Sequence, residues 1–205
     1  AIGRYAGFGP RSGNFNSWMG YQSGLAADTA DFTTSLGTYT GYYNKMDYTT
    51  AVGAYSLAFN SQNAVNNLEG AENTGLGYGA GYRIDRGSKN TAVGFQSMNG
   101  GGFAINGSRN SAFGDSTLFL FASGNDNVAM GYKALSSSIS SSQNVAVGSR
   151  ALTNFAGGYP NTAIGYLSMD STTTGTANTA LGSYSLSVNK TGINNVALGN
   201  AAMYQ

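Results

Sequence analysis

NVAVGSRAL at residues 144–152 is followed by NTAIGYLSM from 161, NTALGSYSL from 178 and NVALGNAAM from 195, each copy starting 17 residues after the last. The same glycine recurs at Gly3, Gly20, Gly37, Gly53, Gly77, Gly94, Gly114, Gly131, Gly148, Gly165, Gly182 and Gly199. The intervals are 17, 17, 16, 24, 17 and 20, then five more of 17. A fixed short period along a whole chain marks a stacked repeat, in which each unit buries its apolar face against its neighbours. The sequence therefore predicts an all-β body over residues 1–205, a parallel β-solenoid or β-roll of about twelve 17-residue coils.

Two columns say how that body is covered. Directly before the repeat glycine stands a large apolar residue, as at Ile2, Met19, Leu36, Leu76, Phe113, Met130, Val147, Ile164 and Leu198. One position earlier the residue is small, usually Ala, with Trp18 the bulky exception. Adjacent strand residues face opposite ways, so one of the two columns fits the inside of the coil and the other needs a second surface. Another copy of the chain is the simplest such surface, and the expectation is a homotrimer.

After the glycine, a small residue at the third position is followed by Leu or Met at the fourth in eight copies. In the other four, Gly7, Gly24, Gly41 and Gly81 take the fourth place and an apolar residue follows, which predicts a bulge in a second strand. A left-handed turn at the repeat glycine, and a corner at a second glycine seven residues earlier, complete a two-armed coil. Four residues before the repeat glycine, Asn90, Asn110, Asn127, Asn144, Asn161, Asn178 and Asn195 recur; stacked at strand spacing, they form a structural amide ladder.

Composition narrows the function classes. Only 9% of residues are charged and the net charge is +1, so nothing in the electrostatics favours nucleic acid as a partner. Without His or Cys, a histidine triad, a thiol nucleophile and a zinc finger are excluded. Paired acids exist, Asp28 with Asp31 and Glu69 with Glu72, but they fall in the variable parts of coils, where charge serves solvation. GLGYGAG at 75–81 is an ordinary run of repeat glycines with no helix pattern after it. Catalytic residues, metal ligands and cofactors are all expected to be none. The longest apolar run, LFLFA at 118–122, is too short to insert in a membrane. The chain opens in mid-repeat with AIGRYAG, which reads as a piece of a longer fibre polypeptide.

The run of Asn, a small or β-branched residue, Ala, an aliphatic residue and Gly at 90–94, 127–131, 144–148, 161–165, 178–182 and 195–199 resembles the head repeats of trimeric autotransporter adhesins. Similar repeats occur in bacteriophage tail fibres. The resemblance covers nearly the whole chain, although the 17-residue period is longer than the adhesin coil and Trp18 interrupts the first quarter. It implies a left-handed parallel β-roll assembled as a homotrimer, extracellular on a virion tail fibre or a bacterial surface, and it carries no active site.

The expected function is a structural and adhesive fibre segment. Two alternatives stay open: a self-assembling filament subunit and an ice-binding solenoid, the latter weakened because the position after Asn mixes Thr91, Ser111, Val128 and Val145. The long intervals place seven extra residues among 58–69 and three among 99–106, on one edge of the roll. Asn60, Gln62, Asn63, Asn66 and Asn67 are the candidate receptor-contact loop, their amides suited to a cell-surface glycan or host receptor. The many tyrosines beside the repeat glycine suit either sugar stacking or a ladder of rings, and the ladder is the simpler reading.

Overall fold

The computed structural model describes residues 1–9, 12–27, 29–61, 63 and 69–204. It is a parallel β-solenoid with no helix among the described residues. Each coil contributes one short strand: β1 Ser17–Met19, β2 Thr34–Leu36, β3 Thr50–Val52, β4 Thr74–Leu76, β5 Thr91–Val93, β6 Ser111–Phe113, β7 Val128–Met130, β8 Val145–Val147, β9 Asn161–Ile164, β10 Asn178–Leu181 and β11 Val196–Leu198. They form one 11-stranded sheet in chain order, every pair parallel. The repeat columns are in register, Ala129 beside Ala146 and Met130 beside Val147, for example.

The strand's two faces differ as the pleat requires. Ala92, Ala112, Ala129, Ala146, Ala163 and Ala180 are fully buried inside the coil, where only a methyl group fits. Their neighbours point outward, and Met19, Leu36, Leu76, Met130 and Leu181 are each 44–46% exposed. Opposite the alanines, Leu57, Met98, Leu118, Leu135, Leu152, Met169 and Leu186 close the core, with Ile84, Ile105, Phe121 and Phe155 entering from the third side.

The expected second strand and its bulge are corrected. The second and fourth residues after every repeat glycine are left-handed, with φ between 45° and 63°, whether the residue is Tyr39, Lys133, Arg150, Leu135 or a glycine. A left-handed L-residue costs roughly 1–2 kcal/mol. The compensation is a hydrogen bond to a neighbouring coil: Lys133 N–H donates to the Asp115 carbonyl (3.0 Å) and Leu135 N–H to that of Ala151 (3.0 Å). Alternating handedness sends the amides of the left-handed residues to the coil on either side, while the amide between them, on Ala134, bonds the Gly131 carbonyl of its own coil (3.3 Å), so that none is left buried and unpaired.

Gly7, Gly24, Gly41 and Gly81 share this conformation with the leucines, so no bulge distinguishes the two variants. The difference is one of volume. A Cβ on Gly7 or Gly24 would lie 2.4 Å from Trp18, whose indole fills the space that leucine fills elsewhere. The following residue does not replace that leucine, for Phe8 is 74% exposed.

Two glycine columns let the coils stack. The repeat glycines hold φ of 117–137°, and a Cβ on Gly148 would lie 2.4 Å from the Gly165 carbonyl oxygen. At the other corner, a Cβ on Gly107 would lie 2.1 Å from the carbonyl oxygen of Gly124.

Candidate functional site

The asparagine column is a continuous hydrogen-bonded ladder. Asn144 donates its backbone N–H (3.1 Å) and Nδ2 (3.2 Å) to Oδ1 of Asn127. Its own Oδ1 accepts from N–H (2.9 Å) and Nδ2 (3.4 Å) of Asn161. Asn90, Asn110, Asn178 and Asn195 repeat the backbone bond at 2.9–3.1 Å. Several amides also reach a corner carbonyl of the next coil, as Asn161 does to Gly175 (2.8 Å).

Thr33 takes its own place in the column, its N–H and Oγ1 both donating to Oδ1 of Asn16 at 2.8 Å, and beside Thr49 other asparagines carry the ladder. Asn44 donates to Thr49 Oγ1, Asn60 Nδ2 to Asn44 Oδ1 (2.8 Å), and Asn73 Nδ2 to Asn60 Oδ1 (3.1 Å). Asn60, one of the expected contact residues, is thus fully buried and its amide is engaged inside the coil. Asn63 is exposed, and its N–H and Nδ2 donate to the Asp85 carboxylate at 2.7 and 3.0 Å. Gln62, Asn66 and Asn67 lie outside the described residues.

The coil between the two insertions ties to both. Asp85 holds Asn63 of the first, Arg83 donates to the Gly102 carbonyl of the second, and Arg86 pairs with Glu69 at 3.7 Å. The acid pairs show structural engagements. Asp31 accepts from the Asn14 N–H, Glu72 pairs with Lys89 at 3.7 Å, and Asp28 lies outside the described residues. No group of three potential metal-ligating side chains occurs among the described residues, and no helix there is long and apolar enough to cross a membrane.

Tyrosines build a ladder up the side beyond the repeat glycine. Tyr21–Tyr39, Tyr39–Tyr55, Tyr55–Tyr78 and Tyr78–Phe95 have ring centroids 5.5, 5.1, 5.9 and 5.4 Å apart. Burial, then the neighbouring Tyr21, raises the Tyr39 phenol above its ordinary pKa. A second stack, Phe15–Phe32–Tyr48, at 4.9 and 5.3 Å, runs up the corner before the ladder asparagines.

Two cavities open where the tyrosine ladder stops. One, about 370 Å³, is bounded by Tyr55, Tyr78, Tyr82, Gln96 and Asn99 around Gly79. The neighbouring coils put Tyr55 and Gln96 at the equivalent position with the same left-handed φ, so Gly79 makes a notch that its backbone does not demand. The other cavity, about 620 Å³, shares Gln96 and carries Phe119, Tyr132, Lys133 and Arg150. Neither was legible as a site from sequence, although the 17-residue spacing already stacks Lys133 beneath Arg150.

No family model, curated protein or solved structure matches this chain.

Proposed function

We propose that the chain is a non-enzymatic segment of an extracellular fibre, a left-handed roll assembled as a homotrimer that presents its lateral edge for attachment to a host cell or surface. The observation that carries this reading is the row of outward apolar side chains on the parallel sheet. Met19, Leu36, Leu76, Met130 and Leu181 stay 44–46% exposed, since among the described residues none covers that face. Continued over eleven strands, the row presents apolar surface on the order of several hundred Å², the size at which patches on soluble proteins mark association. A three-fold assembly buries it without closing the insertion edge. The ice-binding alternative finds support in the stacked Thr34, Thr50, Thr74 and Thr91 and again in Thr162 with Thr179, but Ser111, Val128 and Val145 interrupt the row and Val196 ends it.

The test is mass by light scattering. A mass of three chains is expected for the native protein, and Val147→Lys, which puts an ammonium into the outward row, is expected to dissociate it. A stable native monomer would sink the proposal.

A further inference from the structure

Lys133 and Arg150 occupy the same left-handed position in consecutive coils, each two residues after its repeat glycine. Their backbones are joined through the Arg150 N–H, which donates to the Tyr132 carbonyl at 2.8 Å. Like charges stacked at this spacing repel. Among the described residues one other such stack occurs, Lys89 with Arg109, and there each cation has an acid: Glu72 at 3.7 Å and Asp126 at 2.7 Å. Lys133 and Arg150 have no ion pair among the described residues, and their column continues with Ser116 and Leu167. The nearby acids form no salt bridge with them: Asp115 accepts from the Ser116 hydroxyl, and Arg150 acts on the Asp170 carboxyl only through space.

Both cations border the cavity of about 620 Å³, within the size range of small-molecule sites. Its other walls combine the rings of Tyr132 and Phe119 with neutral groups such as Gln96 and Ser137. An aromatic platform suits the C–H face of a sugar ring, amides and hydroxyls suit its edge, and two cations without a salt bridge suit an acid group, Lys133 Nζ lying 5.1 Å from the centroid of the adjacent Tyr132 ring. Gln96 also borders the Gly79 notch, so a longer chain has a second, uncharged aromatic seat alongside.

We propose that this cavity binds an acidic saccharide, its carboxylate or sulfate held between Lys133 and Arg150 and its ring set against Tyr132 and Phe119. The proposal deepens the adhesive reading and rests on it.

The test is calorimetric titration of the full chain at physiological salt with an oligogalacturonate, a sulfated heparin hexasaccharide, uncharged cellohexaose and a single-stranded oligonucleotide. At least one acidic saccharide should bind, and whichever does identifies the acid group. Lys133→Ala/Arg150→Ala should weaken it at least about tenfold, the scale of losing charge-assisted bonds. Lys89→Ala/Lys190→Ala, with the same loss of charge, should leave binding within about twofold. The proposal is overturned if neither acidic saccharide binds, if both double variants weaken binding alike, or if cellohexaose or the oligonucleotide binds as well as the acidic sugars. Light scattering on the same samples reads the assembly separately, so a monomer that binds acidic sugar refutes the trimer alone, and a trimer that binds none refutes the site alone.

Discussion

Replacing Asn144 with alanine isolates what one interior step of the ladder contributes. The Oδ1 of Asn144 is the acceptor for the buried backbone N–H of Asn161 at 2.9 Å, so alanine leaves that donor unpaired. Orphaning a buried polar group costs about 1–3 kcal/mol, and each ordinary hydrogen bond contributes a net of about 0.5–1.5. Asn144 also loses its Nδ2 bonds to Asn127 (3.2 Å) and to the Ser142 carbonyl (2.9 Å). The expected loss is therefore about 3 kcal/mol. Asn195 is the internal comparison: it donates Nδ2 to Asn178 at 3.0 Å, but no ladder asparagine among the described residues donates to its own oxygen. Asn195→Ala should cost only about 1 kcal/mol. Urea unfolding at one fixed chain concentration measures both, compared at unchanged slope because assembly and partial unfolding of a repeat array each move the midpoint. Amide exchange supplies the local readout: the Asn161 N–H should exchange at least about tenfold faster in Asn144→Ala, since each 1.4 kcal/mol is a factor of ten. Equal losses for the two variants, or an Asn161 amide protected as before, would refute the orphaned-donor argument.

Trp18→Ala should cost about 3–5 kcal/mol by emptying the space between Gly7 and Gly24. Adding Gly24→Leu should restore part of it, since Leu57 and Leu135 hold the same left-handed conformation; a double-mutant cycle in thermal unfolding checks the coupling, and purely additive losses would argue against it. The Arg109 guanidinium holds the exposed Asp126 carboxyl below its ordinary pKa. A depressed folded-state pKa means that the pair's contribution is complete above the unfolded value and disappears as the pH falls through the folded one. An NMR titration should find Asp126 below the ordinary carboxylate value in the native chain and nearer to it in Arg109→Ala.

The repeat glycine, the ladder asparagine and the small alanine column were all legible in the sequence because each depends on a side-chain property that few residues share; that the alanine is the residue turned inward came from the structure. Only glycine lacks the Cβ that would strike the next coil, and a side-chain amide carries two donor hydrogens and an acceptor oxygen on one planar group, so it gives and takes along a stack. The apolar residue beside each alanine was equally plain as a column, and the structure decided that it is the one turned outward. These features depend on the column rather than on the path of the chain, and a 17-residue period fixes the column.

The arm after the repeat glycine was decided by tertiary structure. Lys133, Leu135, Arg150 and Leu152 have no intrinsic preference for positive φ, and alone each favours the ordinary right-handed or extended regions. The neighbouring coils impose the left-handed state, because only that alternation aims the N–H groups of the left-handed residues at carbonyls on both sides. Asn60 follows the same logic: its place in an insertion suggested an exposed amide, while in the structure it lies inward and completes the ladder beside Thr49 with Asn44 and Asn73. Sequence determined which residues share a column, since that is arithmetic on the period. Tertiary structure decided which columns line a cavity, face solvent or turn inward, because those depend on inter-coil hydrogen bonds and on space left by neighbours such as Trp18 and Gly79.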